Sequence, residues 1–127
     1  MSVLIDSSAW IDFLRAGRLK HPDVASALET GVAALCPVTW AELWTGLCGK
    51  REEYVLLNIR DACGWLEIDA TVWERAANLG RAARQQGLNC PLADVLIVAC
   101  AQRHKVELLH RDQHLADLLT IAVTTGG

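Results

Sequence analysis

The sequence has little of what breaks, staples or anchors a chain. Its three prolines and nine glycines are scattered over 127 residues, so no linker, repeat array or low-complexity stretch is expected. No apolar run reaches membrane-spanning length, because Asp6, Asp94 and Asp112 interrupt the apolar segments, so no membrane partner is expected. Met1-Ser2-Val3-Leu4-Ile5 has no basic flank and its apolar part stops at Asp6, so no secretory signal is expected there. There is no CxxC pair. The five cysteines (Cys36, Cys48, Cys63, Cys90 and Cys100) are odd in number and lie among apolar residues, the pattern of reduced core thiols in a cytoplasmic protein. Cys100/His104 and His110/His114 are each spaced i,i+4, but as a set they match no zinc-ligand pattern. Basic excess is missing too. Twelve Lys and Arg stand against fifteen Asp and Glu, a formal charge of −3, which excludes a general coat for polyanions. Any nucleic-acid contact must be local, metal-mediated or aided by a partner.

Apolar residues make up 52% and charged residues 21%, the balance of a single folded domain spanning 1–127. Val3-Leu4-Ile5 reads as a strand, and a helix follows from Ser7-Ser8 to Gly17. A short helix is expected from Pro22 to about Thr30, a strand from Val32 to Cys36, a helix beginning near Val38-Thr39, and another over Glu52–Ala62. Trp65–Ile68 reads as a third strand, then helices from Thr71 to about Gln86 and from Pro91 to about His104. Lys105–Leu109 is expected as a fourth strand, Asp112–Leu119 as a helix, Ile121-Ala122-Val123 as a fifth strand, and Thr124–Gly127 as a frayed tail. This alternation predicts an α/β fold, a central parallel sheet of about five short strands with helices on both faces. Ligands of such sheets gather beyond the carboxyl ends of the strands.

Four acids stand out by their surroundings. Taken singly, Asp6 and Asp112 are helix caps after strands, Asp94 favours the positive end of a helix dipole, and Glu42 is a solvated helix residue. Yet Pro91-Leu92-Ala93-Asp94-Val95-Leu96-Ile97-Val98-Ala99-Cys100-Ala101 carries only one charge and should be buried on nearly all sides. A buried carboxylate is costly unless paired or bound to metal, and no Lys or Arg lies close by on that segment. Glu42 falls away from the Trp40, Leu43, Trp44, Leu47 stripe, beside the small Thr39 and Gly46, on a face free to lie against a cleft. The stripe itself reads as core or subunit interface. Asp6, Glu42, Asp94 and Asp112 can all converge on one edge of the sheet. Two carboxylates about 5 Å apart repel by roughly 3 kcal/mol at an effective dielectric of 20. A divalent metal is the natural compensation, and all-oxygen ligation selects Mg²⁺ or Mn²⁺ over zinc.

Several segments then resemble one family in order and spacing. Val3-Leu4-Ile5-Asp6-Ser7-Ser8, Val38-Thr39-Trp40-Ala41-Glu42-Leu43, Leu92-Ala93-Asp94-Val95-Leu96 and Leu108-Leu109-His110-Arg111-Asp112-Gln113 are similar to the acid motifs of PIN-domain ribonucleases. The likeness is specifically to the VapC toxins of toxin–antitoxin operons and runs over essentially the whole chain. It implies a Mg²⁺- or Mn²⁺-dependent endoribonuclease leaving a 5′-phosphate and a 3′-hydroxyl. It also implies a homodimer and a VapB-like antitoxin partner that occupies the active-site groove. By position it makes Asp6, Glu42, Asp94 and Asp112 the metal-binding and catalytic acids, with Ser8 supporting the first. His110 departs from the family, which has Thr or Ser there; imidazole either replaces a supporting hydroxyl or is a plain strand-end residue.

Arg15, Arg18 and Lys20, Lys50-Arg51, Arg81 and Arg84, and Arg103 and Lys105 are either phosphate contacts or solvated charge. Three other readings compete. A noncatalytic interaction domain of the same fold would keep the acids structurally. A receiver-type phosphorylation module would need an acidic pair after the first strand and a late lysine, where Ser7-Ser8 and His110-Arg111-Asp112 stand. A phosphatase with a nucleophilic aspartate would need a second one where Ser8 stands. The kinase-like tripeptide His110-Arg111-Asp112 has no Gly-rich loop beside it.

Overall fold

A computed structural model describes residues 2–124. Four short strands, β1 (Val3–Ile5), β2 (Ala33–Leu35), β3 (Gly64–Trp65) and β4 (Glu107–Leu109), form one sheet in the order β3-β2-β1-β4. Every pairing is parallel. Among the described residues there are seven helices, α1 (Ser7–Ala16), α2 (Pro22–Glu29), α3 (Pro37–Thr45), α4 (Lys50–Ala62), α5 (Ala70–Gln85), α6 (Leu92–His104) and α7 (Gln113–Thr124).

Strand alternation sorts the core into two layers. Leu4, Cys36, Leu66 and Leu108 pack with α5, α6 and α7. Ile5, Leu35, Trp65 and Leu109 pack with residues of α1, α2, α3 and α4. As expected, α6 is enclosed: Val95 through Ala101 are all buried. It ends on Lys105, which adopts a left-handed conformation at φ 56°.

The expected fifth strand is absent. Ile121, Ala122 and Val123 continue α7, because Leu115, Leu118, Ile121 and Ala122 are buried along one helical face. The β-branched character of Ile121 and Val123 is overridden by that spacing. Thr124 belongs to the same helix, and the rest of the expected tail lies outside the described residues. The third strand is also shorter than expected, covering only Gly64–Trp65. Of the cysteines, Cys36 and Cys100 are buried, Cys63 and Cys90 half-buried, and Cys48 exposed, so Cys48 is not a core residue.

Candidate active site

Parallel register sets the level of each acid. Val3 pairs with Ala33 and Glu107, and Ile5 pairs with Leu109, so Asp6 leaves β1 alongside the carboxyl ends of its neighbours. The Asp6 amide donates to the Leu109 carbonyl at 2.9 Å, extending the ladder by one bond. Asp6 is also the N-cap of α1 and only 4% exposed. Its Oδ2 accepts from the Ser8 amide at 3.1 Å and the Ser8 hydroxyl at 2.7 Å. Ser8 Oγ in turn accepts the Arg111 amide at 3.1 Å, which ties the β4–α7 turn to the start of α1.

Asp112 sits just before α7, and its Oδ1 accepts the His114 amide at 2.8 Å. The His110 ring is turned toward this bend, its Nδ1 accepting the Asp112 amide at 3.3 Å. Asp94 lies half-buried in the first turn of α6. One ligand atom each from Asp94, Asp112 and His114 lies within 4.8 Å of the other two. Burial first, then the charges of Asp112 and Asp6, push the Asp94 carboxyl above its ordinary value, with His114 opposing.

Glu42 is exposed on α3, where its Oε1 accepts the Ser7 hydroxyl at 3.1 Å. Burial pushes its carboxyl up against the Ser7 hydrogen bond, and the charges of Asp6 and Asp94 add to the rise. Asp94 and Asp112 thus come together with His114, while Asp6 and Glu42 stand outside that group and reach it by charge, Asp6 on both Asp94 and Glu42, and Asp94 on Glu42. Thr39, expected beside Glu42, points inward instead. Its hydroxyl accepts the Cys36 amide and donates to the Cys36 carbonyl, each at 3.0 Å, closing the first turn of α3.

Two residues join the site without having been singled out for it. Ser7 anchors Glu42, and His114 adds an imidazole to what reads in the sequence as an all-oxygen set. His114 follows Asp112 by two positions, the spacing that lets its amide bond the Asp112 carboxylate; that adjacency is the signal in the sequence. Neither i,i+4 pair forms a metal cluster among the described residues: His114 joins Asp94 and Asp112 without His110, and Cys100/His104 joins none. His104 Nε2 instead lies 2.8 Å from the Glu67 carbonyl, and Cys100 Sγ rests against the carbonyls of Leu66 and Glu67.

A cavity of about 550 Å³ opens beside Glu42 between α1, α3 and α4. Ile11, Leu14, Leu43, Leu47 and Val55 give it apolar walls, and Arg15 and Arg51 lie on its lining. Among the other basic candidates, Arg18 pairs with Glu29, and Arg103 lies 3.6 Å from Asp69.

Fold and site together define an α/β domain with a cluster of acidic side chains at the carboxyl edge of a parallel sheet. Residues 3–118 match the PIN domain family. The chain is 32% identical over 128 residues to the VapC ribonuclease Mb1587 of Mycobacterium bovis, covering 97% of this chain and 93% of that one. It superposes on a toxin–antitoxin complex from Klebsiella pneumoniae with a TM-score of 0.70 at 25% identity, covering 88% of each chain. It also superposes on VapBC2 from Rickettsia felis, solved with a DNA fragment from its promoter, with a TM-score of 0.78 at 15% identity and 93% coverage of each chain. The chain belongs to the PIN-domain family, within which it is similar to the VapC ribonucleases.

Proposed function

We propose that this chain is a divalent-metal-dependent endoribonuclease of the VapC kind, acting in the cytoplasm and restrained by a VapB-like antitoxin. The observation that carries this is the mutual approach of Asp94, Asp112 and His114 within 4.8 Å, in the field of Asp6 and Glu42. Asp94 and Glu42, pushed toward protonation first by burial and then by neighbouring carboxylates, fit a site for a hard dication, and the oxygen-rich donor set suits Mg²⁺ or Mn²⁺.

In this reading Asp6, Asp94 and Asp112 hold the ion, with His114 at its edge. When bound, the ion neutralises charge on the phosphoryl oxygens and acidifies the attacking water. Glu42, whose carboxyl is raised chiefly by burial, would serve as the general base. Ser8 fixes the Asp6 carboxylate, and the Ser7 hydroxyl orients Glu42. His110 holds the Asp112 amide through the ring nitrogen where the family has a hydroxyl. The partners that go with this role are single-stranded or looped RNA, the antitoxin and a second copy of the chain.

Purified protein should cleave RNA with Mg²⁺ or Mn²⁺, stop in EDTA, and leave 5′-phosphate and 3′-hydroxyl ends. Asp94→Asn should be inert while keeping a native circular dichroism spectrum. Cleavage by folded Asp94→Asn equal to wild type would refute the assignment, and so would activity that persists in EDTA. A noncatalytic domain of the same fold would show no metal-dependent cleavage at all.

A further inference from the structure

Four side chains from three elements stack into a ladder near the carboxyl edge of the sheet. Trp44 stacks on Trp40 with ring centroids 5.3 Å apart and planes inclined by 27°. The Arg60 guanidinium lies 4.6 Å from the Trp40 ring centroid and 4.7 Å from that of Trp65. The order is thus Trp44, Trp40, Arg60, Trp65. Trp40 and Trp65 are half-buried, Arg60 is exposed, and Trp44 at the outer end is 38% exposed.

The placement relates the ladder to the acids. Trp65 pairs with Leu35 in β2, and the next residue, Leu66, donates its amide to the Leu35 carbonyl at 2.8 Å. Trp40 and Trp44 lie on the helix that carries Glu42. The ladder therefore flanks the β3 side of the sheet edge whose β1–β4 side carries Asp6 and Asp112.

Its chemistry is specific. Arg60 forms no ion pair among the described residues; its partners are the two indole faces. A guanidinium held between aromatic faces keeps its N–H donors directed around its rim, in the plane where a phosphate oxygen accepts them. An indole at the open end of the stack offers a face to an unpaired base. A chain with a net charge of −3 has no general hold on RNA, so a local contact of this kind is what substrate capture requires.

Resting on the ribonuclease reading, we propose that the Trp44–Trp40–Arg60–Trp65 ladder binds an unpaired stretch of the RNA. A base stacks on Trp44, and Arg60, two rings further along the ladder, holds the phosphate of a neighbouring nucleotide of the same strand. These are positioning residues for substrate, outside the acid pocket.

The test uses the full chain on the Asp94→Asn background, so that the probe survives. The probes are a short uridylate oligomer and an abasic phosphodiester oligomer of equal length. Trp44→Leu should weaken uridylate binding roughly tenfold and leave the abasic oligomer unaffected, and Trp44→Phe should restore most of the loss. Arg60→Gln should weaken both and lower the salt slope of binding by about 0.7. In the active protein both substitutions should raise KM more than they lower kcat. Unchanged uridylate binding by folded Trp44→Leu and Arg60→Gln overturns the proposal. A fall in sedimentation mass with unchanged RNA binding also overturns it, making the ladder a contact between subunits. Absence of cleavage by the wild-type chain would instead count against the ribonuclease reading, since the oligomer measurements do not depend on turnover.

Discussion

Ser8 donates its hydroxyl to Asp6 Oδ2 at 2.7 Å while accepting the backbone amide of Arg111 at 3.1 Å. One oxygen thus couples the first acid to the turn that carries Asp112. Ser8→Ala removes both bonds and leaves a nearly buried carboxylate short of a donor. A loss of about 1–3 kcal/mol in urea unfolding is expected, with RNA cleavage reduced further than the folded fraction explains. Ser8→Thr keeps the hydroxyl and should restore most of both. Full activity in folded Ser8→Ala would show that Asp6 needs no such support.

Arg111 also holds the turn from its other side. Its Nη2 reaches both Asp23 carboxylate oxygens at 2.8 Å and His21 Nδ1 at 3.3 Å. Burial opposes ionisation of Asp23, yet the Val24 amide and the Arg111 guanidinium together bring its carboxyl below the ordinary value. The pair is partly solvated, so Arg111→Met should cost under about 1 kcal/mol of stability. Its effect on cleavage should be larger, because the bend bearing Asp112 loses its tether to α2. Arg111→Lys should recover the charge without full rescue, since an ammonium does not reproduce the planar guanidinium contact. Equal cleavage rates for wild type and Arg111→Met would remove the tether from the account.

Thiol accessibility checks the packing beneath the site. Cys36 caps α3 and Cys100 lies on α6, both buried, and a hydrogen bond from Cys100 brings Cys36 down to about 7 while Cys100 is pushed up. Thiolate character without access gives no reaction. Burial also pushes Cys63 up to about 11. Native protein should therefore be labelled by an aromatic disulfide first at Cys48, with Cys36 and Cys100 silent until unfolding. Rapid labelling of Cys36 in folded protein would contradict the close packing of α3 against α6.

The acids were legible where local rules and burial pulled against each other. Asp6 follows an apolar strand and caps a helix, and Asp94 lies in the first turn of a helix whose central residues Val95 to Ala101 are all buried and whose sequence carries no nearby cation. Glu42 was legible as lying off the Trp stripe, although its partner Ser7 comes from a distant segment that no periodicity reveals. Arg60 was invisible for the same reason: Trp40 and Trp65, which enclose it, belong to other elements. Spacing and propensity compete at Ile121–Val123, and there the helical face shared with Leu115 and Leu118 prevails over β-branching. Contacts made across the sheet edge are thus what the linear order conceals, while three of the four strand-to-helix junctions are announced by an acid (Asp6, Asp69 and Asp112), and the fourth, into α3, passes through Cys36-Pro37 instead.

The raised carboxyls of Asp94 and Glu42 make stability depend on pH and metal in a defined direction. A carboxyl whose native pKa lies above its unfolded value binds its proton more tightly in the folded state. Stability from these two groups is therefore greatest in acid and falls as pH rises, from 3.8 for Asp94 and 4.5 for Glu42 up through their raised values. Asp23 and Asp69 are lowered and run the opposite way, so the comparison must be made between variants. In EDTA, Asp94→Asn should be more stable than wild type at neutral pH, with the gap closing as pH falls through the raised native value toward 3.8. The helix dipole favours the charged Asp94 by only about 0.3–1 kcal/mol, and burial with two neighbouring carboxylates outweighs it. Mg²⁺ or Mn²⁺ binding the native state should then raise the Tm of wild type at neutral pH by mass action and leave Asp94→Asn nearly unmoved. If Asp94→Asn unfolds more readily than wild type in EDTA at neutral pH, the carboxylates do not repel one another in the folded chain, and the reason for a cation at this edge disappears.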